Sequence, residues 1–321
     1  MKALLSKYVH RVFAAQGKVL RARSEVELDL LFTQALAAMD DTAGGELECV
    51  IFSKDRAMQL HALLGSYLDM VKNPRPVTIL YKASDTEHRQ AYSELADLFA
   101  DPDIRFVEET DFRQQMIEHA TRSPAAKIML LVDDMLFKDR LDFERLVEVD
   151  SSKHILVLTR GRDLTYSSVL QKPLVPPAMR TSAAGFQEFS WYSEDFSDWT
   201  FPLGVSGYMF GRKEWLAMLT TLKFKAPNSL EAAMQAFVPV YRDRPGLCPE
   251  TATCVCVHAN MVQTELSNPT LGTFSIEELL RLWQEKKMID RSCFYGLGLA
   301  EAEVLSYRFV ERLPVALQRS R

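Results

Sequence analysis

Long apolar runs are missing from this 321-residue chain. None approaches the roughly 18 residues that a membrane-spanning helix needs. Also missing is the signal-peptide pattern of a basic start, an apolar middle and a small-residue cleavage site, so a cytoplasmic setting with reduced thiols is the expectation. Cysteine is sparse, with five residues scattered at Cys49, Cys248, Cys254, Cys256 and Cys293 and no paired C-x-x-C hook. In "CPETATCVCVH", the alternation Cys254, Cys256, His258 puts all three on one face of a strand. Small buried thiols fit that pattern, with structural zinc as the alternative. Positive charge is not in excess: the formal net charge of -5 gives no general attraction to nucleic acid, and none is expected as a partner. Internal repeats and low-complexity segments are absent as well. With 47% hydrophobic and 25% charged residues, this is an ordinary globular chain, long enough for one large core or two smaller ones.

Short β-branched or apolar runs stand out: "ECVIF" (48–52), "VTILYK" (77–82), "IRFVEE" (104–109), "KIMLLV" (127–132) and "HILVLT" (154–159). Between them the apolar residues recur at helical spacing, as in Met58, Leu60, Leu63, Leu64, Tyr67 and Leu68, then Tyr92, Leu95, Leu98 and Phe99. Such alternation predicts an α/β fold, a mostly parallel sheet with helices on both faces. Ligands of such sheets collect at the carboxyl ends of the strands.

At one of those ends lies "KIMLLVDDMLF", where two adjacent carboxylates, Asp133 and Asp134, interrupt an apolar run. Side-by-side negative charges repel and are costly to bury unpaired, so a positive partner is required, either a metal ion or a cationic side chain. "SKDR" (53–56) and "KASD" (82–85) would open onto the same rim if the strands are parallel.

Beyond Thr159 the pattern becomes long loops and short strands, through "TRGRDLTYSS", "KPLVPP", "FSWY" and "DWTFPLGVSGYMF". Helix is expected again at about 212–222 and at 230–237, the latter capped by Asn228 or Ser229 with Glu231 in its first turn. "SIEELLRLWQEKK" reads as an amphipathic helix with Ser275 and Glu278 as a capping box. The first 24 residues hold basic side chains but no acid, beside an apolar stripe of Leu4, Leu5, Tyr8, Val9, Val12 and Phe13. That stripe suits peripheral contact with an anionic membrane, here the inner face of the cytoplasmic membrane; packing on the domain or on a partner chain is the alternative. Four segments follow: 1–45, basic and amphipathic; 46–160, alternating strand and helix; 161–274, loops, short strands and helix; and 275–321, helical.

In order and spacing, "VIFSKDRAMQL", "VTILYKASD", "LLVDDMLF", "TRGRDLTYS", "DWTFPLGVSGYMF" and "FKAPNSLE" resemble a bacterial group of GT-A glycosyltransferases of the family-2 type, over roughly residues 46–290. The resemblance implies a GT-A (Rossmann-like) sheet and a metal-dependent, inverting transfer of sugar from a nucleotide sugar, with UDP-sugar the leading donor, to a surface glycan or lipid-linked acceptor. It matches Asp133 and Asp134 to the last two members of an acidic metal motif. Asp133 would face the sugar or ribose and Asp134 would hold Mn²⁺ or Mg²⁺, with His258 as a further ligand. Val132 and Met135 depart from the simplest D-x-D spelling. Ser206 stands where many relatives carry an acid or another polar group, which bears on sugar recognition.

The chemistry accounts for these residue types. A diphosphate leaving group gains charge as the glycosidic bond breaks, and a divalent ion on hard oxygen ligands neutralises it. The acceptor hydroxyl must lose a proton, for which Glu231 is the candidate base, with Asp195 and Asp198 in reserve. A first-turn glutamate that merely complements its helix dipole is the plain alternative. Ser53, Asp55, Arg56, Ser84 and Asp85 are the expected nucleotide contacts, although Ser and Asp also favour turns and caps. Arg160 and Arg162 suit a phosphate or an anionic acceptor, or are solvated loop charges. Trp191, Tyr192 and Trp199 resemble a sugar-stacking wall, or else fill a core. A phosphoreceiver domain would carry its acidic pair on the first strand. A sugar-nucleotide nucleotidyltransferase would carry a glycine-rich loop where "FSKDRAMQL" has no glycine. A catalytically degenerate sugar-binding or scaffold module is the other alternative.

Overall fold

The computed structural model describes residues 22–39, 45–193, 196–260, 274–304 and 307–312. After helix α1 (Arg23–Ala37) strands of the main sheet alternate with helices: β1 (Leu47–Lys54), α2 (Ala57–Met70), β2 (Val77–Lys82), α3 (Thr86–Leu98), β3 (Ile104–Glu108), α4 (Phe112–Arg122) and β4 (Lys127–Val132). β5 (Met135–Phe137), β6 (Ile155–Val157), β7 (Arg180–Thr181), β8 (Gln187–Phe189) and β9 (Tyr208–Gly211) follow. The chain continues with α5 (Arg212–Thr221), α6 (Pro227–Met234), β10 (Gly246–Cys248), β11 (Cys254–Val257), α7 (Ile276–Gln284) and β12 (Glu303–Val304).

Nine strands form the central sheet in the order β7-β8-β10-β6-β9-β4-β1-β2-β3. β1 pairs in parallel with β2 and β4, β2 with β3, and β6 with β10, whereas β9 runs antiparallel between β4 and β6. The α/β expectation of a mostly parallel sheet with helices on both faces is met. Strict alternation explains how one sheet supports two cores. Cys49, Ile51, Met129 and Leu131 join the layer containing Leu63 and Trp283, while Val50, Phe52, Ile128 and Leu130 join the layer containing Phe210 and Trp215. Strands buried on both faces carry continuous apolar runs, as β1 does over Cys49–Phe52 and β4 over Ile128–Val132.

Parallel registration brings the strand ends together. Lys54 lies opposite Lys82, Phe52 lies opposite Val132, and the Asp133 amide donates to the Phe52 carbonyl at 3.1 Å. The chain then leaves the sheet. Met135, Leu136 and Phe137 return at once to buried apolar positions because β5 belongs to a second, three-stranded sheet ordered β12-β11-β5. The aspartate pair is therefore the turn between two sheets. Gly207, at φ +80, lets the long loop re-enter at β9, where an added Cβ would meet Met135 Cε at 3.0 Å.

α7 starts as read from the sequence, with Ser275 accepting from the Glu278 amide and Glu278 reaching back to the Ser275 amide. α6 departs from the reading. Pro227 occupies its first turn and Ser229 Oγ accepts from the Lys225 and Ala226 amides, so the helix begins earlier and Glu231 falls in its second turn. Glu231 is then too far from the helix start to serve the dipole as a first-turn acid. The stripe from Leu4 to Phe13, with the rest of residues 1–21, lies outside the described residues, as does Asp195.

Candidate active site

A cavity of about 690 Å³ opens at the carboxyl ends of β1, β4 and β6 and is closed on its far side by the loop before β9 and by α6. Ser53, Arg56, Asp133, Asp134, Glu231 and His258 all line it. Tertiary structure thus gathers both predicted acids, the candidate base and the late histidine around one space.

The positive partner that the acid pair requires is Arg56. Its Nη1 donates to Asp133 Oδ1 and to Asp134 Oδ2, each at 3.0 Å. Its other edge rests on Asn260, with Nε on the side-chain oxygen at 3.0 Å and Nη2 on the main-chain carbonyl. Gln59 Nε2 also donates to the Asn260 side-chain oxygen, at 2.9 Å. Asp133 Oδ2 accepts from the Lys54 amide at 3.1 Å. Burial pushes the Asp133 carboxyl upward, Arg56 pulls it down and the Asp134 charge pushes it up again; the balance is upward.

Of the remaining donor-site candidates, Ser53 shares a 2.6 Å hydrogen bond with the Tyr92 hydroxyl, which also accepts from the Arg56 amide at 3.1 Å. Asp55, Ser84 and Asp85 do not line the cavity. Asp55, held at φ +53, accepts from the Ser84 amide at 2.7 Å and the Ser84 hydroxyl at 2.6 Å, which ties the β1 turn to the β2 turn. Asp85 caps α3 by accepting from the His88 amide at 2.8 Å. These are the turn and cap roles that Ser and Asp adopt at strand ends.

At the other end of the cavity, Glu231 is half-buried and one of its oxygens accepts from the Val205 amide at 3.2 Å. Burial raises its pKa, while the Val205 amide and the charge of Arg160 oppose the rise without cancelling it. Arg160 reaches the Asp198 carbonyl at 3.1 Å, Thr159 Oγ1 at 3.0 Å and the Tyr208 hydroxyl at 3.5 Å. Asp198 also borders the cavity. Arg162 turns away to Glu250 at 3.0 Å and Gln187 at 2.8 Å. The stacking-wall expectation is corrected. Trp191 and Trp199 are core residues packed on Phe189 at centroid distances of 4.6 and 5.1 Å, and Tyr192 is exposed with its phenol on Asp243. Phe196, Phe201, Val169 and Leu170 form the apolar wall instead. Alternating burial places Cys254 in the core and Cys256 at the cavity, with all five cysteines unbridged.

With this geometry established, comparison with known proteins adds three findings. No protein-family profile matches the chain. Over 175 residues it is 21% identical to the bifunctional glycosyltransferase pgtA of Dictyostelium discoideum, a match covering 49% of this chain and 22% of that protein. Among solved structures it is similar to the WbbM bifunctional glycosyltransferase in its apo form, at 14% identity and a TM-score of 0.36, over 77% of this chain and 45% of the other. The chain therefore corresponds to less than half the length of either relative.

Asp134 and His258 are the side chains placed to contribute to a divalent-ion site. Asp134 and His258 border the same cavity on segments joined by a bond from the Val257 amide to the Asp134 carbonyl, at 2.6 Å. Oxygen and imidazole donors suit Mn²⁺ or Mg²⁺ when phosphate and water complete the shell. Among the described residues, no group of three or more His, Cys, Asp or Glu side chains is arranged to hold a metal alone. His258 is also engaged, with Glu303 at 3.6 Å from its Nε2. The donor set therefore fits an ion shared with a phosphate ligand, not an all-protein cage.

Sequence reasoning missed Asn260 and Tyr92. Asn260 follows β11 by three positions, and the end of that strand was legible; its approach to Arg56 across the cavity was not. Tyr92 shows only helical periodicity in the sequence.

Proposed function

We propose that the chain transfers a glycosyl group from a nucleotide sugar, UDP-linked in the leading case, to a hydroxyl of a glycan or lipid-linked acceptor. One observation carries this reading: an acid pair at a strand end and a half-buried glutamate of raised pKa face a single cavity of about 690 Å³. The name of the similar protein pgtA supports glycosyl transfer at the general level.

In this reading the diphosphate lies against the end holding Asp133, Asp134 and Arg56. Asp134 and His258 would hold Mn²⁺ or Mg²⁺, whose chemistry is to neutralise charge on the leaving diphosphate. Arg56 offers a planar donor edge to phosphate oxygens, and Asp133 accepts from ribose or sugar hydroxyls. Glu231 removes the acceptor proton. A base with a pKa above the ordinary carboxylate range accepts that proton more readily near neutral pH, and a base opposite the leaving group gives inversion. Phe196, Phe201 and Leu170 keep water from the reacting centre.

Among the described residues no helix is long and apolar enough to cross a membrane. Membrane contact, if residues 1–24 provide it, is peripheral and from the cytoplasmic side.

Calorimetric titration with UDP, GDP, dTDP and CMP, each with Mn²⁺ and with EDTA, tests the donor site. Tight binding of one nucleotide in Mn²⁺ is the expected result. Failure of every nucleotide under both conditions would refute the donor reading and favour a sugar-binding module without catalysis.

A further inference from the structure

Adjacent, nearly buried carboxylates are stable only if their charge is matched, and Asp133 and Asp134 expose just 6% and 13% of their side chains. Arg56 bonds to both with a single nitrogen, so one positive charge offsets part of two negative ones. Its remaining contacts are to neutral oxygens of Asn260, which is itself steadied by Gln59. The guanidinium is thus anchored on one edge by groups that no ligand needs to displace, and held on the other by two carboxylates that a cation would want.

The charge balance of the cavity sets a second condition. Six carboxylates and five Lys or Arg side chains line its described wall. A nucleoside diphosphate adds several negative charges to a wall that is already slightly acidic. A divalent ion arriving alone meets carboxylates that Arg56 already satisfies, and its charge repels the guanidinium at short range, where screening is weak. Each ligand by itself is disfavoured. Together they are not, because the ion would take over Asp134 and release Arg56 Nη1 to pair with phosphate, a pairing that guanidinium makes readily.

We infer that Arg56 is a placeholder cation that occupies the acid pair until a divalent ion and a nucleoside diphosphate arrive together, so that the two ligands bind with strong mutual dependence. The inference rests on the donor-site reading for the nucleotide half and on the hydrogen bonds of Arg56 alone for the other half. Linkage makes the dependence reciprocal: whatever factor the nucleotide adds to metal affinity, the metal adds to nucleotide affinity.

The test is a Mn²⁺ titration followed by the electron paramagnetic resonance of the free ion, with the full chain, in the presence and absence of UDP or GDP. Wild type should bind Mn²⁺ weakly alone and about 5- to 150-fold more tightly with the nucleotide, the usual span of such couplings. Arg56→Gln should bind Mn²⁺ alone more tightly than wild type and lose most of the nucleotide effect. Arg56→Lys, which keeps the charge but not the fork, should stay weak for Mn²⁺ alone; it remains informative if the glutamine variant does not fold. Asp134→Asn should remove Mn²⁺ binding in either background. Equal Mn²⁺ affinity of Arg56→Gln and wild type without nucleotide would overturn the placeholder. A gain in Arg56→Gln with no nucleotide effect on wild type would keep the placeholder and overturn the donor reading instead.

Discussion

Replacing Glu231 by glutamine separates chemistry from structure at one position. The glutamine side-chain oxygen can still accept from the Val205 amide, now at 3.2 Å from the carboxylate, so the loop before β9 keeps its partner and α6 keeps its place. What disappears is the capacity to take a proton. A positioned base contributes about 10²- to 10⁴-fold, or roughly 3 to 5 kcal/mol of barrier, and kcat should fall by that factor with nucleotide affinity unchanged. Alanine makes the contrast: it orphans the Val205 amide and should cost about 1 to 3 kcal/mol of stability as well. The pH dependence adds an independent readout. Because burial raises the pKa of Glu231, the acid limb of the kcat profile should lie above the ordinary carboxylate range, with activity lost as pH falls through the raised value. Stability runs the other way. The folded state holds this proton more tightly than the unfolded state does, so the contribution of Glu231 is fully present below the unfolded pKa and is lost as pH rises through the folded one. Glu231→Gln should abolish that loss, seen as a smaller drop in Tm between mildly acidic and neutral buffer. Steady-state transfer assays at several pH values, paired with thermal melts, measure both. A variant that melts earlier yet turns over at the wild-type rate would refute the assignment and leave Glu231 as a structural acid.

Asp134→Asn should lower transfer more than about a hundredfold, since charge neutralisation on the leaving group supplies several kcal/mol, while the far-ultraviolet circular dichroism stays unchanged; full activity would end the metal role. Tyr92→Phe removes the acceptor of the Arg56 amide and the partner of Ser53, and should cost about 1 to 3 kcal/mol in a chemical denaturation measurement. Glu48 supplies a pH test remote from the site. Burial alone would raise its pKa, but bonds from His119, Thr78 and Ser123 outweigh burial and bring it down to about 2. Its stabilising effect is present above the unfolded value of 4.5 and is lost as pH falls toward 2; Glu48→Gln should flatten that acid branch of the melting curve. Deleting residues 1–24 should weaken co-sedimentation with anionic liposomes, and undiminished binding would remove the membrane assignment.

The amino-acid sequence alone determined the alternation of β1 to β4 with their helices, because a two-residue apolar repeat and a helical one are written in neighbouring residues and need no partner to be recognised. It also located the acid pair at a strand end and framed its need as either a metal or a cationic side chain. Only the tertiary structure shows which cationic side chain lies there. Arg56 lies 77 residues from Asp133 and 204 from Asn260, and only the parallel registration of β1 with β4 and the return of β11 bring the three together. The start of α6 was misplaced because Ser229 caps backward onto Ala226 with Pro227 already helical, a choice between two competing caps that local composition leaves open. The tryptophans stayed between two readings, wall or core, for a similar reason: an aromatic in a loop looks the same in sequence whether it faces a cavity or Phe189. Periodicity is a short-range property and survives in the linear chain. Charge compensation and burial act through space, so they exist only once the strands have met.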